Sequence, residues 1–116
     1  MKEVQLCPKF EKAMQLLGKR WTGLIINQLL LGSQRFSAIK AGLPISGKLL
    51  TERLKELEEE KIVTRKVYAE VPVRVEYELT EKGRELEPII KEIEKWGHKW
   101  VTLEEEPKGS EDTDCF

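Results

Sequence analysis

After Glu60 the hydrophobic pattern of this chain changes its period, and that change constrains the fold more than any other feature. Before it, apolar residues recur three and four positions apart. Beyond it, Val63, Arg65 and Val67 alternate with Thr64, Lys66 and Tyr68. Val73, Val75, Tyr77 and Leu79 then alternate with Arg74, Glu76 and Glu78. Alternation sends successive side chains to opposite faces of a strand, whereas helical spacing gathers them on one stripe. The link, Ala69-Glu70-Val71-Pro72, is short and bears proline, so the two runs predict a β-hairpin.

The segments on either side read as helices. Pro8 suits a first helical position, because its missing N–H would have no partner there. Phe10, Ala13, Met14 and Leu17 follow at helical spacing and Gly18 ends the run. A second helix is expected from Trp21 to Leu31, ended by Gly32. Its apolar residues nearly encircle it, as in a helix buried inside a small domain. Gln34-Arg35-Phe36 reads as a short edge strand. Ser37 is expected to cap a brief helix over residues 38–41. After the turn Leu43-Pro44-Ile45, Ser46 reads as the cap of a helix over residues 47–60, with Leu50, Leu54 and Leu57 inward. Thr80 is expected to cap a last helix reaching about Val101, bent or restarted at Pro88. Residues 1–103 thus form one domain. Residues 104–116 form an acidic tail expected to be disordered when alone.

Composition bounds the function. With 116 residues, 40% apolar and 35% charged, the chain can bury one core. Its longest uncharged apolar run, residues 21–31, is too short for a membrane span, and the first residues lack a signal-peptide core. A cytoplasmic protein without membrane partners is expected. Two cysteines, Cys7 and Cys115, are too few for a disulfide scaffold or a structural zinc site. His98 stands alone, so neither metal nor cofactor is expected. No nucleophile–base pair or glycine-rich phosphate loop is present, which argues against an enzyme. The net charge of −1 conceals an uneven split, +6 over residues 1–56 and −7 over residues 57–116. A basic face toward phosphate is therefore open to this chain despite its neutral balance.

The element order is helix, helix, short strand, helix, helix, hairpin, helix. It predicts a mainly α fold with a small hairpin, the α+β winged helix-turn-helix. A helix fits the major groove of double-stranded DNA, and the hairpin reaches the flanking minor groove or phosphates. Four stretches in this order carry a resemblance: Leu17-Gly18-Lys19-Arg20-Trp21-Thr22, Arg35-Phe36-Ser37, residues 50–58 (LTERLKELE) and residues 77–83 (YELTEKG). Together they resemble the HxlR-type family of bacterial winged-helix transcription regulators, over about Cys7 to Trp100. Cys7-Pro8-Lys9 is similar to the subgroup that senses quinones, diamide and related electrophiles. The resemblance implies a homodimeric repressor of an operator DNA, with Cys7 as sensor. It leaves open whether Cys7 is alkylated or forms a disulfide with Cys115.

The residues themselves suggest the following roles. Lys48 and Thr51 lie on the outer face near the start of the groove helix, where lysine can meet guanine or phosphate and threonine a thymine methyl. Ser46 reads as a cap or a phosphate contact. Arg53 borders the core and reads as an internal brace or a phosphate clamp. Lys66 and Arg74 are cations of the hairpin. Arg74, beside the tip, is a minor-groove candidate or a solvated charge. Lys19 and Arg20 precede a helix N-terminus that attracts phosphate, or are ordinary basic surface.

Cys7 stands just before the first helix. The helix N-terminus and Lys9 and Lys12 favour its thiolate, the nucleophilic form. Its plainer reading is a small hydrophobe against a second subunit. Cys115, among acidic residues, is a resolving partner or an inert tail residue. Ile89, Ile93, Trp96 and Trp100 make a stripe too large for one small body to cover, which predicts a dimer through the terminal helices; packing within one subunit is the rival. Two further functions compete with the thiol repressor: the same DNA-binding protein under a non-covalent ligand, and a winged-helix module that binds protein.

Overall fold

The computed structural model describes residues 7–103. Its elements are α1 (Pro8–Leu17), α2 (Thr22–Leu29), α3 (Phe36–Gly42), α4 (Gly47–Glu59), β1 (Val63–Tyr68), β2 (Arg74–Leu79), α5 (Glu81–Arg84) and α6 (Glu87–Trp100). The expected order of helices and hairpin is observed. The expectations on Cys115 and the acidic tail lie outside the described residues. Among the described residues no helix is long and apolar enough to cross a membrane.

One core holds the elements together. Ile25, Ile26 and Leu29 of α2 meet Ile39 of α3 and Leu50, Leu54 and Leu57 of α4. Ile62, Val63 and Leu79 close it from the hairpin side, and Ile90 of α6 from the other. Thr22 is the one buried polar residue of the core among the described residues. The strands pair antiparallel from Val63 opposite Leu79 to Tyr68 opposite Arg74. This register sends Val63 and Leu79 into the core together, while the far end of the ribbon stands clear.

Local differences from expectation have local causes. The expected edge strand is a single bridge, in which the Gln34 N–H donates to the Tyr77 carbonyl at 2.9 Å and the Tyr77 N–H donates back at 2.7 Å. Arg35 is then the last extended residue and caps α3, so Ser37 lies inside the helix and is not its cap. Phe36 starts α3 because its ring packs on the core. The second helix begins at Thr22, not Trp21, because Trp21 has φ 78° and cannot be helical. It ends at Leu29, and Leu31 is exposed rather than part of a buried cylinder.

The last helix is two. Thr80 Oγ accepts from the Gly83 N–H at 3.1 Å and caps only α5. Pro88 has no N–H to donate back along the chain, so the helix restarts at Glu87 and proline occupies its first turn. The turn after α4 is held from two sides. Lys61, at φ 63°, forms a Schellman end in which the Ile62 N–H reaches the Leu57 carbonyl at 2.9 Å and the Lys61 N–H reaches Glu58 at 3.0 Å. Thr80 Oγ donates to the Lys61 carbonyl at 2.7 Å, and Lys82 Nζ donates to that of Glu60 at 2.6 Å.

Candidate nucleic-acid interface and thiol site

Helices α3 and α4, joined by the turn at Leu43–Ser46, form the helix-turn-helix. Ser46 Oγ accepts from the Leu49 N–H at 3.1 Å, so its oxygen serves as the cap. That frees α4 to begin at Gly47 with Lys48, Thr51, Glu52 and Lys55 exposed on its outer side. Thr51 Oγ donates to the Gly47 carbonyl at 2.8 Å. Lys40 closes α3 over this start: its Cε lies 3.6 Å from the place a Cβ on Gly47 would take. The sequence reading missed Lys40, which the turn brings against Gly47, the first residue of α4.

Arg53 faces the other way, about 140° round α4 from Lys48. Its Nε donates to the Arg20 carbonyl at 3.0 Å, and its Nη1 lies 3.4 Å from Glu56. Lys19 reaches the same Glu56 carboxylate at 3.1 Å. Arg20 stacks on the Trp21 ring with its guanidinium carbon 4.9 Å from the centroid. The structure thus gathers Lys19, Arg20 and Arg53 into a brace between the α1–α2 turn and α4, apart from Lys48 and Thr51. Of the two readings of Arg53, the internal brace is the one its contacts match.

The wing cations are engaged by wing carboxylates. Lys66 meets Glu78 at 3.0 Å, and this hydrogen-bonded partner raises its pKa. Arg74 holds Glu70 at 2.9 Å and Glu76 at 2.5 Å and lies over the Tyr68 ring at 3.9 Å. Its hydrogen bond holds the Glu70 carboxyl below the usual range. For Glu76, the Ser33 hydroxyl does most of this, with Arg74 second. The positive charge of Arg35, a residue given no role from the sequence, lowers both carboxyls further.

Cys7 is the N-cap of α1 and is exposed. Its sulfur accepts from the Phe10 N–H at 3.5 Å. Pro8 follows in the first turn, so the backbone geometry that proline favours sets the sulfur over the helix end. The amide dipole is aimed at the atom that carries negative charge once the thiol has lost its proton.

Ile89, Ile93, Trp96 and Trp100 lie exposed along α6, both tryptophans at 62%, while Ile90 alone turns inward. Phe10 and Met14 of α1 are exposed as well, and no residue of α1 is buried.

A two-helix reading unit with an antiparallel wing and cations on the outer start of its second helix defines a winged helix-turn-helix DNA-binding protein. Residues 16–105 match the HxlR-like helix-turn-helix family model. The chain is 57% identical over 102 residues to the HTH-type transcriptional regulator YvaP of Bacillus subtilis, covering 87% of this chain and 94% of that one. It is 51% identical over 96 residues to YodB of the same organism, covering 82% and 86%. Reduced YodB superimposes with a TM-score of 0.76 at 50% identity, over 84% of this chain and 96% of that one. YodB has also been solved diamide-treated and quinone-bound, each with a TM-score of 0.72 at 48% identity, over 86% and 82% of this chain and all of the other. The redox regulator HypR in its oxidised form gives 0.77 at 39% identity, over 84% of this chain and all of the other. The chain belongs to the HxlR-like helix-turn-helix family. It is a DNA-binding transcriptional regulator, not an enzyme.

Proposed function

We propose that this protein is a homodimeric repressor that releases its operator when Cys7 reacts with an electrophile or oxidant such as a quinone or diamide. The observation that carries the reading is the exposed Cys7 sulfur at the N-cap of α1, under the Phe10 amide. A thiolate there attacks the electrophilic carbon of a quinone, the ring taking up the electron pair and then a proton, to leave a thioether. That YodB has been solved diamide-treated and quinone-bound, and HypR in its oxidised form, supports this reading for a chain so similar to them.

The dimer follows from the uncovered faces of α1 and α6. Trp96 and Trp100 with Ile89 and Ile93, and Phe10 and Met14, are large apolar side chains that a second copy can cover. Two half-sites on DNA then set the distance between the two α4 helices. A group attached to Cys7 stands at the end of α1, within the dimer contact, so a shift of α1 alters that distance. Operator contacts fall to Lys48 and Thr51 at the groove and to Lys66 and Arg74 on the wing.

The test is operator binding of wild type, Cys7→Ser and Cys115→Ser before and after quinone, with mass spectrometry to locate the adduct. Wild type should release DNA with the adduct on Cys7, and Cys7→Ser should bind normally and ignore quinone. Cys115→Ser should keep part of the response, since an adduct needs one thiol. Release of DNA by quinone-treated Cys7→Ser overturns the reading.

A further inference from the structure

The groove face makes no use of the cavity between α1 and the bend joining α5 to α6. It measures about 530 Å³ and has apolar walls that include Leu16, Ile62 and Leu86. Lys9, Lys12 and Lys82 stand round it with a single carboxylate, Glu60. Lys12 lies 3.8 Å from that carboxylate, and Lys82 gives one hydrogen to the Glu60 carbonyl. An ammonium has three hydrogens, so donors remain for an anion. An apolar recess ringed by a surplus of cations suits an acidic peptide that carries an aromatic side chain.

We infer that this cavity is the docking site of the chain's own segment 104–116, with Phe116 on its apolar walls and Asp112 and Asp114 against Lys9, Lys12 and Lys82. The segment carries six carboxylate side chains and one lysine, and Phe116 is its only aromatic residue. Charge and apolar content therefore match together. The exposed outer face of α4 offers the segment Lys48 and Lys55 but sets Glu52 between them.

The segment also reaches. Leu86, in the cavity wall, is the N-cap of the 14-residue helix α6. At about 1.5 Å per residue that helix carries the chain about 21 Å away. Residues 101–116, extended at about 3.3 Å each, cover about 50 Å, enough to turn back along α6. Tethering raises the local concentration of the segment to about the millimolar range, so a weak contact suffices.

The experiment uses the full chain with Cys7→Ser, Cys115→Ser and Ser110→Cys, a nitroxide on the new thiol and isotope-labelled backbone amides. The amides of Ala13, Leu16, Ile62 and Leu86 should lose most of their intensity at about 0.05 M salt. They should recover it at about 1 M, where the Debye length is only about 3 Å. Adding Lys9→Glu and Lys12→Glu should abolish the loss while the remaining spectrum stays that of the folded chain. Losses confined to α3 and α4, or to the outer face of α6, overturn the inference, as does no loss beyond that caused by free nitroxide. A mixture of isotope-labelled chain without nitroxide and unlabelled chain with it should leave the cavity amides sharp. Broadening there would assign the segment to the partner copy and overturn docking on its own chain.

Discussion

The hydroxyl of Ser33 donates to a carboxylate oxygen of Glu76 at 2.9 Å, across forty-three residues of sequence. Glu76 also holds Arg74, and Arg74 holds Glu70 and covers Tyr68. The turn after α2 and the tip of the wing are thereby one polar unit, so the angle of the wing is set from the helix-turn-helix side.

Replacing Arg74 with Ala should leave Glu70 and Glu76 without the cation that bridges them. Amide exchange should then quicken at Tyr68 and Val75, and operator binding should weaken by a similar factor on different operator sequences. Acid should loosen the same unit. Both carboxyls are held below their ordinary value of about 4.3, so their contribution is complete above it and is lost as pH falls through the lower, folded-state values. Wing amide shifts should therefore hold steady from neutral pH to about 5 and move only below about 4. A wing transition near pH 6 would contradict this.

Lys48→Ala should cost about 1–3 kcal/mol on the specific operator if the ammonium reads a base edge, and less on random DNA. Lys40→Ala should weaken both alike and flatten the salt slope by about one, the mark of a phosphate contact. Titrations at several salt concentrations separate the two.

Trp96→Ser with Trp100→Ser should convert the dimer to monomers and abolish operator binding at concentrations that saturate wild type. Both side chains are largely exposed in the single chain, so its fold should survive. Light scattering reads the mass and circular dichroism the fold. A wild type that is monomeric at micromolar concentration, yet binds specifically, would remove the dimer from the proposal.

Lys61→Gly should stabilise the protein by about 1 kcal/mol. A side chain at φ 63° crowds the following carbonyl, and glycine has no Cβ to do so. Thermal and urea melts measure this, and unchanged DNA affinity would show that the turn is purely structural.

Gly83→Ala should act in the opposite direction. A Cβ there would overlap the Ile62 carbonyl oxygen, a backbone atom already accepting from the Thr80 N–H. The strain should cost about 1–3 kcal/mol, as overpacking does. A melt at the wild-type temperature would show that α5 can move away freely.

Much of this protein was determined by the sequence alone, because the relevant physics is local. Periodicity places α4 and both strands, since one residue's step along the chain sets which face it shows. Ser46 and Thr80 cap as their chemistry dictates, and Cys7 sits at an N-cap because Pro8 follows it. The family likewise lay in contiguous stretches. Other outcomes needed the fold. Arg35 caps α3 because Gln34 is held by Tyr77, forty-three residues on. Arg53 and Lys19 became a brace because Glu56 and the Arg20 carbonyl meet them there. Arg74 is held by carboxylates that the hairpin folds onto it, and Lys40 reaches the start of α4 at Gly47 because a turn reverses the chain. A charge near others in sequence looks free until the tertiary structure supplies its partner, and only that arrangement decides which cations brace the fold and which face solvent.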